Sequence, residues 1–345
     1  MRSAVPSSCY GVETCSCHSK MRSPYLKMMI IGVAVVFALL TWNRIHTSHL
    51  FSKQNTKSTG KNPGIDDLNP DAYQNIPKGI YTCMNRTTKN YEYNFNTELY
   101  LLPGKDEMCA MTMQDLEKLY QMYLSTVQTI CKRPIRLGNR NDGGWDLCVE
   151  KQFLTPGKCQ VYSFGINYDF TFDDAVAKDF DCEVHSFDPS MNQESYQRST
   201  KPFVYFHDVG IASKSRNVIG NKEWRMLNLK DTMTELGHKT IPDVIKMDIE
   251  YWEWDVLPDL LTSSQLPKQL AIEYHLWDAN YTNKKVLWLH RLWILKDIYD
   301  AGYRSFWLNR NLPCTFKSKA TLDYIYACHE VSYVRTENDV RPKTK

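Results

Sequence analysis

The chain has 345 residues, of which 43% are hydrophobic and 12% aromatic. It is therefore long and apolar enough to bury one large core with appendages, or two modest domains. Its formal net charge of +3 is close to neutral for this length, so the composition does not indicate a polyanionic partner. We do not expect nucleic acid as its ligand.

The N-terminal part of the chain has the features of a membrane anchor. Residues 25–42 are apolar apart from Lys27 near one edge, and no small-residue cleavage pattern follows them. A stretch of about 18 such residues is typical of a transmembrane helix. We predict a short tail over residues 1–24, a single transmembrane signal anchor over 25–42, and a flexible polar stalk over 43–77. Basic residues stand on both sides of the stretch, so they do not fix its orientation.

The cysteines favour a lumenal location for the part after the anchor. Eight of them follow the predicted span, at positions 83, 109, 131, 148, 159, 182, 314 and 328. An even number permits up to four disulfides in an oxidising compartment. Asn85 and Asn280 begin potential glycosylation triplets. We therefore predict a single-pass type II protein that faces the lumen of the Golgi or endoplasmic reticulum. No Cys-X-X-Cys pair with partner spacing follows the span, so we assign no metal ligands.

Apolar periodicity predicts alternating helices and strands after an N-terminal extension over residues 78–110, which its cysteines would staple to the core. The expected helices and strands lie, in chain order, as follows: helix 113–130, strand 160–164, helix 171–179, strand 183–187, strand 203–206, helix 229–237, strand 243–249, helix 252–261, strand 269–274, helix 283–301, and strands 303–308 and 324–334.

Strands that alternate with helices predict a doubly wound α/β sheet. The last two strands are expected to form an antiparallel hairpin, an ending typical of the Rossmann-like seven-stranded methyltransferase sheet. We place this domain over residues 111–335, followed by a C-terminal tail over 336–345. In such sheets the ligand binds at the carboxyl ends of the strands.

Polar residues follow the first three predicted strands. Gly165 and Asn167 follow the first, without the Gly-X-Gly-X-X-Gly pattern of a pyrophosphate cradle. A single glycine suits a phosphate-free ligand such as S-adenosylmethionine. Asp188, which precedes Pro189 after the second strand, is placed to accept both ribose hydroxyls. Asp208 follows the third strand, at the level where adenine is usually flanked.

Acids follow the fourth strand at Asp248 and Glu250, and His275 ends the fifth. Because one residue separates the two acids on the predicted strand, their side chains are expected to project to the same side. They are candidates to hold an ammonium group, orient an acceptor hydroxyl or bind a divalent metal, and the alternative is a helix N-cap. For His275, a general base and a hydrogen-bonded structural residue both stay open.

Two motifs carry a resemblance to known enzymes. The segments Val184-His-Ser-Phe-Asp188-Pro189 and Asp243-Val-Ile-Lys246-Met-Asp248-Ile-Glu250 resemble FkbM-type methyltransferases. The wider span, about residues 110–335, is similar to the animal methyltransferase-like 24 group. The resemblance implies Gly165, Asn167 and Asp188 as contacts of S-adenosylmethionine. It also implies Asp248 and Glu250 at the reacting end.

The chain departs from the FkbM-type pattern at three positions. Ser163 stands where the family has an acid on the first strand, and the second glycine after Asn167 is missing. Tyr251 replaces the glycine that follows the second acid, which would narrow the acceptor side of the pocket.

The leading hypothesis is a membrane-anchored S-adenosylmethionine-dependent methyltransferase that O-methylates a hydroxyl on a small molecule, glycan or protein. In it, Asp248 or His275 removes the hydroxyl proton. One alternative is a Golgi-type glycosyltransferase, with a divalent metal on Asp248 and Glu250. Another is a catalytically degenerate methyltransferase fold kept as a binding protein, as Ser163 and Tyr251 suggest.

Overall fold

The computed structural model describes residues 76–84, 93–95, 101–140, 142–201, 203–220, 222–276 and 284–336. All of them fall within one unit, Pro63–Lys345. The predicted N-terminal tail, the signal anchor over 25–42 and both glycosylation triplets lie outside the described residues. Within those residues, no helix combines the length and hydropathy needed to cross a bilayer.

Seven helices and fifteen strands make up the described part of the chain. In chain order they are α1 Lys78–Met84, α2 Lys105–Ala110, α3 Met113–Tyr123, β1 Pro134–Leu137, β2 Trp145–Cys148, β3 Gln160–Phe164, α4 Thr171–Phe180, β4 Glu183–Phe187, β5 Tyr196–Thr200, β6 Phe203–His207, β7 Gly210–Ile211, β8 Arg216–Ile219, β9 Glu223–Leu227, α5 Leu229–Glu235, β10 Val244–Met247, α6 Glu253–Leu260, β11 Gln269–His275, α7 Lys285–Asp300, β12 Tyr303–Arg310, β13 Thr315–Lys317, β14 Tyr324–Tyr326 and β15 Cys328–Arg335.

The main sheet has eight strands, in the order β12-β15-β11-β10-β3-β4-β6-β5. The five from β11 to β6 are parallel, and β15 runs antiparallel between β11 and β12, as the predicted terminal hairpin requires. The prediction of seven strands is wrong by one, because β5 adds an antiparallel strand at the edge. Its five residues are polar apart from Tyr196 and almost entirely exposed, so no apolar alternation marked them as a strand.

The helix predicted over residues 113–130 is shorter than expected and ends at Tyr123. Just past this point the hydroxyls of Ser125 and Thr126 bond back to the carbonyls of Gln121 and Met122, which competes with helix continuation. The next backbone groups, starting at Gln128, then donate to Ser305 of β12. Apolar spacing continued across this segment, but its hydrogen bonds go to the sheet.

Helices and loops cover both faces of the sheet, which confirms the doubly wound layout. Alternate residues of β3 point to opposite sides: Val161 packs with Val176 of α4, whereas Phe164 belongs to the core beneath α6 and α7. The central strands are buried on both faces, although Ser163, His185 and Lys246 interrupt their apolar residues.

Four disulfides use all eight of the cysteines after residue 43: Cys83–Cys109, Cys131–Cys148, Cys159–Cys182 and Cys314–Cys328. This number indicates a secreted or lumenal protein. The first of them joins α1 to α2, both within the N-terminal extension, so it does not staple the extension to the core. That attachment comes instead from the fully buried Ile80 and from Lys285, whose Nζ donates to the Cys109 carbonyl at 2.6 Å.

Candidate active site

A cavity of about 490 Å³ opens at the carboxyl ends of β3, β4 and β10. These strands are parallel neighbours, so the loops that follow them meet at one edge of the sheet. The volume lies in the range of small-molecule sites, about 300–1,000 Å³. Five of the predicted site residues line the cavity: Gly165, Asn167, Asp188, Asp248 and Glu250.

Gly165 brings the end of β3 into direct contact with the end of β10. Its φ of +80° lies in the left-handed region, and a Cβ there would stand 1.6 Å from the carbonyl oxygen of Asp248. No other residue type fits this position without moving the backbone. The glycine therefore sets the spacing between the two loops that carry the other site residues.

Asp188 ties the loop after β4 to the turn after β3. Its buried carboxylate accepts the backbone N–H groups of Ile166 at 2.9 Å and Asn167 at 2.8 Å through Oδ2. Its Oδ1 accepts the backbone N–H of Ser190 at 2.8 Å and the hydroxyl of Ser190 at 2.6 Å. All four lone-pair positions of the carboxylate are thus used. Of these four donors, the Ser190 hydroxyl is the one that can rotate away to admit a ligand hydroxyl.

The loop that precedes β2 forms another wall of the cavity, through Gly143 and Trp145. Gly143 has a φ of +84°, and a Cβ on it would meet the Asp169 carboxylate at 2.2 Å. The indole of Trp145 is buried, with the ammonium of Lys246 5.3 Å from its ring centre. Trp145 therefore lines the pocket as a buried, packed residue.

A buried lysine and a buried aspartate line the cavity close to Ser163, which stands where FkbM-type sequences have an acid. Lys246, which is paired in register with Ser163, donates to the carbonyls of Phe164, at 3.1 Å, and Gly165. Asp173 of α4 accepts the Ser186 hydroxyl at 2.6 Å. Burial raises the pKa of Asp173, and the charge of Lys246 works in the opposite direction. Asp173 thus places a carboxyl group from a helix close to Ser163 in the wall of the cavity.

The loop after β10 holds a strained backbone. Glu250 and Tyr251 have φ values of +51° and +77°, a conformation that few non-glycine residues adopt. Tyr251 is the position where FkbM-type sequences have glycine, so the chain keeps the glycine-like backbone without the glycine. Such strain is held in place by surrounding structure and is typical of functional loops. Tyr251 lines the cavity and is 8% exposed.

The acids after β10 gather around His275. Its Nε2 lies 3.7 Å from Asp248 Oδ1 and 3.7 Å from Glu250 Oε2. On the other side of the ring, Nδ1 lies 3.0 Å from Oε1 of the fully buried Glu253. Burial opposes the charge, but these three carboxylates outweigh it and raise the pKa of His275 to about 10. The side chain is therefore an imidazolium at neutral pH.

A second pair of acids lies behind this group on neighbouring strands. Glu273 of β11 is the register partner of Glu330 of β15, and its Oε2 is 3.8 Å from His275 Nε2. Burial and the charges of Asp248 and Glu330 raise the pKa of Glu273 to about 8. Neither residue was predicted as a site residue, because the antiparallel pairing that brings them together joins segments far apart in the chain.

Asp208, predicted as a cofactor contact, is not among the described residues that line the cavity. Its carboxylate pairs with Lys222, whose Nζ donates to both oxygens at 2.8 and 2.7 Å. The wall on this side is built instead by the small sheet β7-β9-β8, which supplies Ile211, Trp224 and Met226. No sequence motif predicted this small sheet, because β7 has only two residues and β8 and β9 are short and half-exposed.

Comparison with known proteins identifies the family. Residues 66–335 match a protein family described as "Methyltransferase domain". A probable methyltransferase-like protein 24 from Rattus norvegicus is 28% identical over 234 residues, which cover 62% of this chain and 63% of that protein. The Homo sapiens protein of the same name is 27% identical over 247 residues, 66% of each.

The chain thus spans just under two thirds of the length of the curated relatives it matches. No solved structure matches it significantly. The resemblance to the methyltransferase-like 24 group is confirmed, and the chain belongs to this family of methyltransferase-domain proteins.

Proposed function

We propose that this chain is an S-adenosylmethionine-dependent methyltransferase that transfers a methyl group to a hydroxyl acceptor in the lumen of the secretory pathway. The observation that carries the proposal is the meeting of Gly165 and Asp188 on one wall of a cavity at the strand ends, in a chain of a methyltransferase family. The four disulfides support the compartment. The predicted anchor over residues 25–42 would hold the domain at the membrane.

The residues that line the cavity suit an adenosyl group. Asp188 would accept one ribose hydroxyl in the place that the Ser190 hydroxyl now occupies. Ile211, Met226 and Trp224 form an apolar wall for a flat base. S-adenosylmethionine would supply a methyl group bound to a sulfonium sulfur, open to attack by an oxygen nucleophile.

Asp248 is the residue best placed to take the proton of an acceptor hydroxyl. Its side chain is 31% exposed and lines the cavity. His275 carries a proton at neutral pH, because its pKa is raised to about 10, so it has no lone pair with which to act as a base. We assign His275 to hold the carboxylates of Asp248 and Glu250 in place. Glu250, whose side chain is 72% exposed, faces the entering acceptor.

The charge of the cavity supports an uncharged or cationic acceptor. Asp142, Asp248 and Glu250 line it, and among its described lining residues Lys246 is the one cationic side chain. The ammonium of Lys246 is engaged by two backbone carbonyls. A phosphorylated or sulfated acceptor would meet repulsion there, whereas a neutral sugar hydroxyl would not.

Calorimetric titration of the purified full-length protein with S-adenosylmethionine tests the proposal. We expect binding to the unmodified protein and at least a tenfold weaker affinity for Asp188→Asn, which loses one acceptor oxygen. The matched control is Asp208→Asn, an acid on the next strand outside the cavity, which should leave the affinity unchanged. Absence of heat with the unmodified protein, or equal affinities for the two variants, would contradict the proposal.

A second candidate function is a binding protein without turnover, which the position of Tyr251 in the cavity favours. Cofactor binding without methyl transfer to any glycan or protein pool would support it, and Tyr251→Gly should then open the acceptor side. The glycosyltransferase alternative is disfavoured by the family match. Manganese-dependent binding of a nucleotide sugar would support the glycosyltransferase alternative instead.

A further inference from the structure

A cluster of imidazoles lies on the sheet away from the cavity. Glu183 begins β4, His185 lies two residues further on the same face, and His238 follows α5. None of the three lines the cavity at the carboxyl ends of the strands. Phe164 and Phe187, stacked with ring centres 4.6 Å apart, pack on the same face of these strands towards the cavity.

The three side chains present ligand atoms at the spacing of a metal site. Glu183 Oε1 lies 3.0 Å from His185 Nε2 and 3.4 Å from His238 Nε2. All three atoms lie within 4.8 Å of one another. In a tetrahedral zinc site with bonds of about 2.0–2.1 Å, neighbouring ligand atoms are roughly 3.3 Å apart. A zinc ion therefore fits among them with small side-chain movements.

The outer nitrogen of each imidazole is already held. His185 Nδ1 lies 2.9 Å from Nε2 of His207, and His238 Nδ1 bonds to the hydroxyl of Tyr162. Metal-binding histidines normally have such a partner on the nitrogen that faces away from the metal, which fixes the tautomer and the ring orientation. Both ligands of the cluster meet this condition.

The cluster is open to solvent on one side. The side chains of Glu183 and His238 are 39% and 17% exposed, which leaves an entry path from solvent.

We propose that Glu183, His185 and His238 bind a zinc ion that clamps the segment after α5 to strand β4. Two imidazoles and a carboxylate are a ligand set that zinc favours, and a water or an amide oxygen completes four-fold coordination. The role is structural and is independent of the proposed methyl transfer.

The side-chain amide of Gln160 offers an arrangement of the cluster that needs no metal. Its amide nitrogen lies 2.9 Å from Glu183 Oε1 and 3.2 Å from His238 Nε2, so it can bridge the two groups without a metal. If the amide is turned by 180°, its oxygen becomes the fourth zinc ligand instead. The two arrangements predict different metal contents for the protein.

The metal content of the full-length protein, purified from an oxidising secretory host and dialysed against micromolar zinc, tests the proposal. We expect one zinc per chain by inductively coupled plasma mass spectrometry, and a fall of at least tenfold in zinc content for Glu183→Gln and His238→Gln. Glu194→Gln changes an exposed acid outside the cluster and should retain the metal. Asp248→Asn should also retain it, which separates this site from the acids of the cavity.

Two further measurements keep the test decisive if the variants fold poorly. X-ray absorption at the zinc edge of the unmodified protein should show two imidazoles, and chelation should lower its Tm by about 5 °C. Tyr162→Phe, which removes a hydrogen-bond partner of His238, should weaken zinc binding about tenfold. A folded unmodified protein without zinc, zinc without imidazole ligands, or undiminished zinc in folded Glu183→Gln and His238→Gln would overturn the proposal.

Discussion

Imidazoles in two regions of the same sheet differ in charge at neutral pH: one is protonated and the other is neutral. At the cavity, His275 faces Glu253, Glu250 and Asp248, and its pKa is raised to about 10. In the cluster around β4, His207 is half-buried, and its burial together with His185 lowers its pKa to about 4. Burial penalises the charged form in both places. The number of nearby carboxylates therefore decides which imidazole keeps its proton, and with it which region can act as an anion holder and which as a metal ligand.

The backbone differs between the same regions. Six described residues other than glycine have a positive φ, and three of them line the cavity: Asn167, Glu250 and Tyr251. In the cluster around His185, Glu183 and His185 lie on the regular strand β4, and His238 follows α5 next to Gly237, whose φ is +73°. Positive φ values of residues other than glycine are therefore concentrated where a ligand is expected.

Removing the buried carboxylate partner of His275 should cause the largest loss of stability. In Glu253→Gln the imidazolium would lose its nearest carboxylate, 3.0 Å away, so its pKa should fall towards that of a neutral buried ring. Breaking a buried ion pair costs about 3–5 kcal/mol. We expect the free energy of unfolding in urea to fall by about 4 kcal/mol, with the His275 pKa followed by NMR. The exposed variant Glu223→Gln is the control, and equal stability of the two would contradict the assignment.

A methyl group placed on the glycine between the strand ends should be the next most costly change. In Gly165→Ala the new Cβ would meet the carbonyl of Asp248 at 1.6 Å, on a backbone with φ of +80°. Gly237→Ala, beside His238, has a similar φ of +73° but nothing within 4 Å of its Cβ. We expect losses of about 3 and about 1 kcal/mol respectively by denaturant unfolding. Similar losses would mean that the close approach at the cavity is not required.

In protein treated with a chelator, the two imidazoles should shape opposite limbs of the curve of unfolding free energy against pH. His207 has a folded pKa of about 4, below the unfolded value of about 6.5, so stability should fall as pH drops from 6.5 to 4. His275 has a folded pKa of about 10, so its contribution, present below pH 6.5, should be lost as pH rises towards 10.

Replacing each histidine in turn checks these signs. His207→Gln should flatten the acid limb by about 2 kcal/mol, a value reduced for the partial exposure of the ring. His275→Gln should leave the acid limb unchanged and flatten the alkaline limb. Urea unfolding across pH 4–10 measures both, and unchanged limbs in both variants would contradict the charge assignment.

The exposed ion pair Asp208–Lys222 should give the smallest effect. Its two side chains are 29% and 33% exposed, and pairs of this kind contribute about 0–1 kcal/mol. We therefore expect Asp208→Asn to change Tm by less than about 2 °C. A large loss would show that Asp208 has a role in the fold that its single ion pair does not explain.

Much of the fold was predictable because local patterns carried it. The strands β3 and β4 have the predicted bounds, since their apolar runs end at residues that no buried strand tolerates well, Gly165 and Asp188. Parallel strands place their carboxyl ends together, so these residues, with Asp248, were predictable as neighbours across one cavity. The strand β5 was not predictable, because an exposed edge strand needs no apolar alternation.

The sequence alone thus determined the alternating elements, the order of the acids and glycines at the strand ends, and the likeness to methyltransferases. Tertiary structure decided the pairing of the disulfides, the exclusion of Asp208 from the cavity, and the charge on His275, which depends on Glu253, 22 residues before it in the chain. It also decided the cluster that brings His238 to Glu183, 55 residues apart in the printed sequence. Contacts of this kind follow from the packing of distant segments, and the pKa of a buried group depends on every charge that packing brings near it.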